Sequence, residues 1–402
     1  MKSMSHLTQQ LQEELDELHA SRHYRILPRL AGSGVQRRMA DRDVLMFCSN
    51  DYLGFATDPV LAEASCQATA AFGTGSGGAR LISGNGELYA PLEQELAAWC
   101  DCEAALCFSA GYLANMGVLT ALAGAEDVIA SDALNHASII DGCRLSRAKV
   151  RVYPHGDVQA LSRVLHDAAG ARRRLVVTES LFSMDGDIAP LAAILDVARQ
   201  HDALVVVDEA HALGVYGSHG GGVLQALGLG GQADAVVGTM GKAMGSAGAF
   251  VAGSRLLIDV LLNKARSFIF NTALPPGVLA ASLAALGLLR TEGALRRERL
   301  LEHARRLRYG LSDLGFAVGG ESYILPVMLG DNQLALTWRD ALGEEGLFVQ
   351  AIRPPTVPVG TSRLRLTVSA AHSAADIDCA LEAFFRVRRR LGIVRAIPAL
   401  PP

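Results

Sequence analysis

The chain has no large excess of charge of either sign. Its 402 residues carry 37 Lys plus Arg against 41 Asp plus Glu, a formal net charge of −4. That balance offers no basic field for nucleic acid and no polybasic footprint for a membrane. Long apolar runs are also missing. The stretch Gly277 to Leu289 is too short to span a bilayer and reads as a buried helix. Cysteine is scarce and odd in number, with seven residues: Cys48, Cys66, Cys100, Cys102, Cys107, Cys143 and Cys379. None has the paired spacing of a zinc site, so no metal is expected. All seven read as reduced packing residues, which fits a cytoplasmic protein. The opening MKSMSHLTQQLQEELDEL is polar and helical, unlike a signal peptide. Repeats are absent, and the one biased tract is a short Pro-rich end, Pro398 to Pro402. No G-x-x-x-x-G-K-[ST] phosphate loop and no G-x-S-x-G elbow occur.

What is present is a large apolar content. Half the residues are hydrophobic, and the length suits one large domain plus a smaller one. Residues 7–20 have the spacing of an amphipathic helix and lead into an Arg-rich arm, Arg22 to Arg38. From Met46 onward, short apolar runs alternate with helical patterns. Ala104–Phe108, Val128–Ala130, Leu175–Thr178, Leu204–Asp208 and Ala235–Gly238 read as strands; 113–122, 138–145 and 190–199 read as helices. Leu204–Val207 is apolar without alternation, as expected of a strand covered on both faces. The pattern is that of an α/β fold, a mostly parallel sheet with helices on both faces. After Pro276 it changes. Helices over 277–291 and 294–314 precede strands near 323–329 and 364–369. A last helix follows Ser373, with Asp376 as a capping-box partner and Ile377, Leu381, Phe384 and Phe385 on one face. The expected organisation is an N-terminal helix and arm (1–45), a large domain (46–275) and a smaller α+β C-terminal domain (276–402).

Ligands of such sheets bind beyond the C-terminal strand ends. Three pointed segments fall there: Asp208-Glu209-Ala210-His211, Thr239-Met240-Gly241-Lys242, and Ser109-Ala110-Gly111-Tyr112. One cofactor suits all three. Pyridoxal phosphate (PLP) needs a lysine amine to hold it as a Schiff base and an acid to keep its pyridine nitrogen protonated. Its phosphate suits backbone N–H groups at a helix start. Lys242, Asp208 and Gly111-Tyr112 supply these. Taken singly, each has a plainer reading as cap, surface lysine or loop residue. Gly73-Thr74-Gly75-Ser76-Gly77-Gly78 fits G-x-G-x-x-G by letter, but it follows a helical stretch rather than a strand. It reads as a flexible loop that lets backbone approach a ligand.

The ordered motifs SNDYLGFA (49–56), GSGGARLISG (75–84), FSAGYLAN (108–115), DALNHASIIDG (132–142), TESLFSMDGDIAPL (178–191), VVDEAHALGVYG (206–217), GTMGKAMGSAGAFV (238–251), FNTALPP (270–276) and AIRPPTVPVGTSRLRLTVSAAH (351–372) resemble the α-oxoamine synthases. These belong to the fold-type I, aspartate-aminotransferase-like PLP transferases. The resemblance runs from about residue 20 to about 390. It implies an acyltransferase that joins an amino acid to an acyl thioester with loss of carbon dioxide. The run 351–358, followed by Arg363-Leu-Arg365-Leu-Thr367, resembles most the branch that takes L-alanine and a pimeloyl thioester, carried on coenzyme A or a carrier protein. Sister enzymes take glycine or serine. Further alternatives are a non-catalytic subunit of the same fold and a plain nucleotide-binding α/β domain.

The resemblance also implies residue roles. Lys242 would hold PLP and move the Cα proton. Asp208 would pair with the pyridine nitrogen, His211 with the ring oxygen, and His136 would stack on the ring. Gly111, Tyr112, Ser183 and Thr239 would surround ring and phosphate. Thr272 would reach the phosphate in a neighbouring subunit, which implies a homodimer. Asn50 and Arg365 would hold the amino-acid carboxylate, with His136 beside it. Thr356 and an N-terminal arginine would touch the acyl substrate; Arg22 and Arg25 both fit, with Arg25 preferred. Ala79, Ala110 and Asn271 depart from residues common in the family.

Overall fold

The structure, a computed structural model, describes residues 6–392. The Pro-rich end at 398–402 lies outside them. At the centre is a seven-stranded sheet. Its order is Ala104–Phe108, Ala249–Gly253, Ala235–Thr239, Leu204–Asp208, Arg174–Glu179, Val128–Asp132 and Lys149–Tyr153. Ala249–Gly253 runs antiparallel to both neighbours; the next five strands pair in parallel. The expected mostly parallel sheet is therefore found. Apolar side chains alternate between its faces. Val176, Val205 and Val207 enter one core, while Leu175, Val177 and Val206 enter a second core on the opposite face. That two-sided burial is why these strands read as unbroken apolar runs.

The C-terminal part builds a second, antiparallel sheet, ordered Ile324–Gly330, Ser362–Thr367 and Gln350–Ile352. Helices Gly293–Asp313, Asn332–Glu344 and Ala374–Leu391 accompany it. The last begins with the expected capping box, Ser373 with Asp376. Its buried stripe is Ile377, Ala380, Ala383, Phe384 and Val387. Phe385 was expected on that face but is 40% exposed, because it lies at the stripe's edge. Helix Pro276–Thr291, the expected buried helix, packs against Pro59–Phe72. Among the described residues no single helix is long and apolar enough to cross a membrane.

The N-terminal arm joins the two regions. Strand Arg42–Met46 pairs in parallel with Leu347–Phe348. Just beyond it, Thr367 Oγ1 donates to the Ser49 carbonyl at 2.8 Å, and Ala370 N–H donates to the Tyr52 carbonyl at 2.7 Å. These bonds sew Ser49–Tyr52 to the end of the strand that carries Arg365. Helix His6–Ala20 forms as expected but buries none of its residues.

The segment at Phe55 and Ala56 also presses on the turn after Lys242. Gly245 has φ +63°, and a Cβ there would meet Ala56 N and stand 2.5 Å from the Phe55 carbonyl carbon. Gly245→Ala should therefore cost about 2 kcal/mol or more in urea unfolding, from the left-handed backbone together with the clash. It should also disturb the turn that carries Lys242, because the Gly245 N–H donates to the Lys242 carbonyl at 2.9 Å. Wild-type stability in this variant would contradict the packing described.

Candidate active site

Adjacent parallel strands end in Glu179 and Asp208, which are register partners. Both are buried. Asp208 Oδ2 accepts from Asn115 Nδ2 at 2.7 Å, and its Oδ1 accepts from the Ala210 N–H at 2.9 Å. Asn115 comes from helix Gly111–Leu122 and also donates to Ser138 Oγ at 3.0 Å. Glu179 is less completely partnered. Its Oε1 is buried without a hydrogen bond, as is Oδ1 of Asn115. Burial raises the Glu179 pKa to about 8; the Asp208 charge adds to the shift, and Lys242 and the backbone N–H groups of His136 and Ser183 oppose it.

Lys242 follows the next strand, in the turn after Thr239. Burial pulls its pKa down to about 8, with Asp208 and Glu179 resisting and Arg365 assisting. The amine therefore has a substantial neutral, nucleophilic fraction near neutral pH, which an ordinary lysine lacks. Its position opposite two carboxylates ties it electrically to both.

His211 is buried beyond Asp208. Its Nδ1 lies 2.6 Å from the Tyr52 hydroxyl, which is also 3.1 Å from Asn50 Oδ1. Burial, with the Lys242, Arg365 and His136 charges, holds its pKa well below the usual value, so the ring is neutral. The phenol has one proton for its two neighbours; when it goes to His211 Nδ1, the ring's Nε2–H is left as a donor, and when it goes to Asn50 Oδ1, the phenol oxygen accepts from Nδ1–H. His136 caps helix Ala137–Ser146 by accepting from the Ser138 N–H. Its pKa is lowered by desolvation, against Asp208 and with Lys242. The plain cap reading of His136 and its nearness to the charged cluster thus hold together.

Arg365 is buried, and its Nε donates to the Ser183 carbonyl at 2.5 Å. It lies beside the Tyr52 hydroxyl and near Lys242 and His211. Arg363, two residues away on the same strand, is occupied by an ion pair with Asp185. Among the described residues Arg365 makes no ion pair, so its charge, unlike that of Arg363, is not matched by a protein carboxylate in direct contact.

Gly111 opens its helix behind Ala110, which gives no side-chain cap, so the first N–H groups remain available. A Cβ at Gly111 would stand 4.0 Å from the Thr239 side chain, which places the two together. Thr239 Oγ1 donates to the Gly248 carbonyl at 3.0 Å. Tyr112 is exposed, and its hydroxyl donates to Asp141. Thr272 is exposed and bridges to Ala79, while Asn271 reaches Ser109. The glycine loop follows helix Pro59–Phe72 and leans on residue 273 through the Gly78 carbonyl. It opens no helix of a dinucleotide site.

Arg25 and Thr356 form a second group around Arg353. Both are exposed. Thr356 N–H donates to the Arg353 carbonyl at 3.0 Å, and the Arg353 guanidinium reaches the Arg22 carbonyl. Burial and the charges of Arg339 and Arg25 lower the Arg353 pKa. No hydrogen bond or ion pair among the described residues links this group to Lys242.

The donor set fits PLP. It combines a depressed lysine, a buried carboxylate, a neutral histidine, an uncapped helix start and buried polar atoms without partners. Asn115, Glu179 and Tyr52 were not singled out from sequence. Their signals were an amide in an apolar helix, an acid at a strand end, and a tyrosine within SNDYLGFA.

Residues 42–384 match the family model described as aminotransferase class I and II. The chain therefore belongs to that PLP-dependent family. It is 48% identical over 391 residues to the 8-amino-7-oxononanoate synthase of Geobacter sulfurreducens, covering 96% of this chain and 100% of that one. It is 50% identical to the enzyme of the same name from Anaeromyxobacter dehalogenans, over 91% of this chain and 89% of that one. These relatives place it among the 8-amino-7-oxononanoate synthases, which are PLP-dependent acyltransferases. Among solved structures, S. paucimobilis serine palmitoyltransferase, which holds a PLP–myriocin adduct, superposes with a TM-score of 0.90 at 35% identity, covering 95% and 97% of the two chains. The 8-amino-7-oxononanoate synthase of Francisella tularensis gives 0.75 at 28% identity, covering 87% and 98%.

Glu179 yields a prediction with a definite sign. Its folded pKa is raised, so the stability that its protonated form contributes is complete below the unfolded carboxylate value and lost as pH rises through about 8. Glu179→Gln stays neutral throughout. In urea unfolding of PLP-free protein, the variant should gain on wild type as pH rises from about 5 to about 8.5. A pH-independent difference would contradict the assignment.

Proposed function

We propose that the protein condenses L-alanine with a pimeloyl thioester, forming 8-amino-7-oxononanoate, carbon dioxide and a free thiol for biotin synthesis. The observation that carries this reading is Arg365, buried near the depressed Lys242 and without the carboxylate partner that its neighbour Arg363 has. A carboxylate-binding fork next to a PLP lysine suits an α-amino acid. Near-full-length kinship with enzymes named for the nonanoate product supports the acyl partner.

PLP, when bound, supplies an electron sink that makes the amino-acid Cα proton acidic. Asp208, steadied by Asn115 and Ala210, would accept the pyridine N–H. His211, neutral and oriented by Tyr52, would donate from Nε2 to the ring oxygen. His136 would lie against the ring face. Gly111, Tyr112, Ser183, Thr239 and, from a second copy, Thr272 would complete the cofactor contacts. Arg365 and Asn50 would hold the carboxylate and so fix which Cα bond stands normal to the ring. Lys242 would take the Cα proton and later return one, a task suited by its lowered pKa. The new bond joins Cα to the acyl carbon, the thiolate leaves, and the carboxylate departs as carbon dioxide. Arg25 and Thr356 would meet the acyl chain.

A homodimer fits the exposed apolar side chains, including Leu7, Leu11, Leu15 and Leu18 on one helix, and Ile82 and Phe270 near Thr272. The thioester carrier would be coenzyme A or an acyl carrier protein. Seven free cysteines fit a cytoplasmic location.

A panel of amino acids and acyl-CoAs supplied to the PLP-loaded protein, with products weighed by mass spectrometry, tests the reaction. Alanine with pimeloyl-CoA should give 8-amino-7-oxononanoate as the main product. Preference for glycine or another acyl group would overturn the substrate assignment. Borohydride should fix PLP to the peptide containing Lys242, and Lys242→Ala should lose turnover while still binding PLP. Label on another lysine would refute its role. Arg365→Lys should raise the alanine dissociation constant about tenfold, since a lysine cannot copy the two-pronged contact. A drop in thermal stability with unchanged affinity would assign Arg365 a structural task instead.

A further inference from the structure

Away from Lys242, the chain holds a histidine between two carboxylates. His155 follows strand Lys149–Tyr153. Its Nδ1 is 2.9 Å from Asp132 Oδ1, and its Nε2 is 2.7 Å from Asp187 Oδ2. Ionised carboxylates only accept hydrogen bonds, so both ring nitrogens donate and the ring is an imidazolium. Burial opposes that charge, but the two carboxylates prevail and raise the pKa to about 10. The Asp132 end is firmly fixed. That carboxylate also accepts the Leu134 N–H at 2.9 Å and the Gly156 N–H at 3.0 Å. The Phe182 ring meets the imidazole edge-on, with centroids 4.3 Å apart.

The Asp187 end belongs to a closed turn. Phe182 N–H donates to the Asp187 carbonyl at 3.0 Å, and Gly186 N–H donates to the Phe182 carbonyl at 2.9 Å. The far side of this turn anchors the C-terminal sheet. Ser183 offers its carbonyl to Arg365, Asp185 pairs with Arg363, and the Gly186 carbonyl accepts the Glu321 N–H. A continuous chain of contacts therefore runs from the end of strand Val128–Asp132, through His155 and Asp187, to Arg365.

We propose that His155 is a positioning residue for amino-acid binding: clamped between Asp132 and Asp187, it fixes the Phe182–Asp187 turn and, through the Ser183 carbonyl, the direction of the Arg365 guanidinium. The inference rests on the reading of Arg365 as the group that holds the amino-acid carboxylate. His155 itself touches no reacting atom.

The test compares full-length wild type with His155→Gln, Asp187→Ala and Arg365→Lys. Alanine affinity is read from the absorbance of bound PLP, alongside the KM for pimeloyl-CoA. Amide exchange at Gly186 is followed in the PLP-free protein. His155→Gln and Asp187→Ala should each weaken alanine binding about tenfold, the loss expected when a charged hydrogen bond that orients the fork is removed. The pimeloyl-CoA KM should stay within about twofold, and Gly186 should exchange about tenfold faster. Asp187 lies at the more exposed end of the bridge, so its variant carries the test if His155→Gln does not fold. Lowered thermal stability with wild-type alanine affinity in both variants would overturn the proposal, as would unchanged Gly186 exchange. If Arg365→Lys alone weakens alanine binding, the link through His155 is wrong. If Arg365→Lys binds alanine as wild type does, the carboxylate reading fails and takes the inference with it.

Discussion

Two carboxylates end adjacent parallel strands side by side, and one amine faces both. Glu179 and Asp208 are register partners, and both are buried where opposite and like charges act strongly. Burial disfavours every charge in the group. The site answers by pulling the groups toward neutrality unequally. Asp208 has two hydrogen-bond donors, whereas Glu179 has a buried oxygen with none and a raised pKa. Lys242 is lowered by burial against the pull of both acids. Such coupled groups titrate together rather than one by one. The inequality leaves a lysine amine and a glutamate both shifted to about 8, beside a carboxylate held by hydrogen bonds.

The rest of the fold keeps the group in register. Parallel pairing delivers Asp132, Glu179, Asp208 and Thr239 to one edge of the sheet. The antiparallel strand Ala249–Gly253 lies beside Ala235–Thr239, and Gly248 just before it receives the Thr239 hydroxyl. From the other side, the small sheet sends Arg365 across to the Phe182–Asp187 turn, while Ser49–Tyr52 is tied to the same strand. Tight backbone contacts enforce the approach: at Gly186, with φ +69°, a Cβ would strike the Ile324 carbonyl oxygen. The side chains of the candidate site are thus supported by two sheets at once, which favours a preorganised site.

Much of this was legible in the sequence. Asp208, His211 and Lys242 stand out because each follows an unbroken apolar run, so a polar group there marks a strand end. The alternation of Arg363 and Arg365 with leucines puts both arginines on one face of a strand, but spacing could not say which was already paired. Asp185 decides that, and it lies far away in sequence. Glu179 and Asn115 escaped notice because their meaning depends on which strands and helices become neighbours. His155 did so for the same reason, since its partners come from two other segments. Edge strand Lys149–Tyr153 is largely exposed and gives a weaker signal than the buried strands. Phe385 shows the limit of helical periodicity at the margin of a stripe. Arg25 and Thr356 meet around Arg353, through an arm whose path no local pattern specifies.

The folded chain itself, before any cofactor binds, depresses the Lys242 amine. The pH dependence of its reaction with an amine-acylating reagent, followed by mass spectrometry of the Lys242 peptide from PLP-free protein, measures this directly. Half-maximal reactivity should fall near pH 8, where burial outweighs the two carboxylates. A midpoint near the ordinary lysine value of about 10.4 would contradict the account, because the carboxylates would then have cancelled the effect of burial.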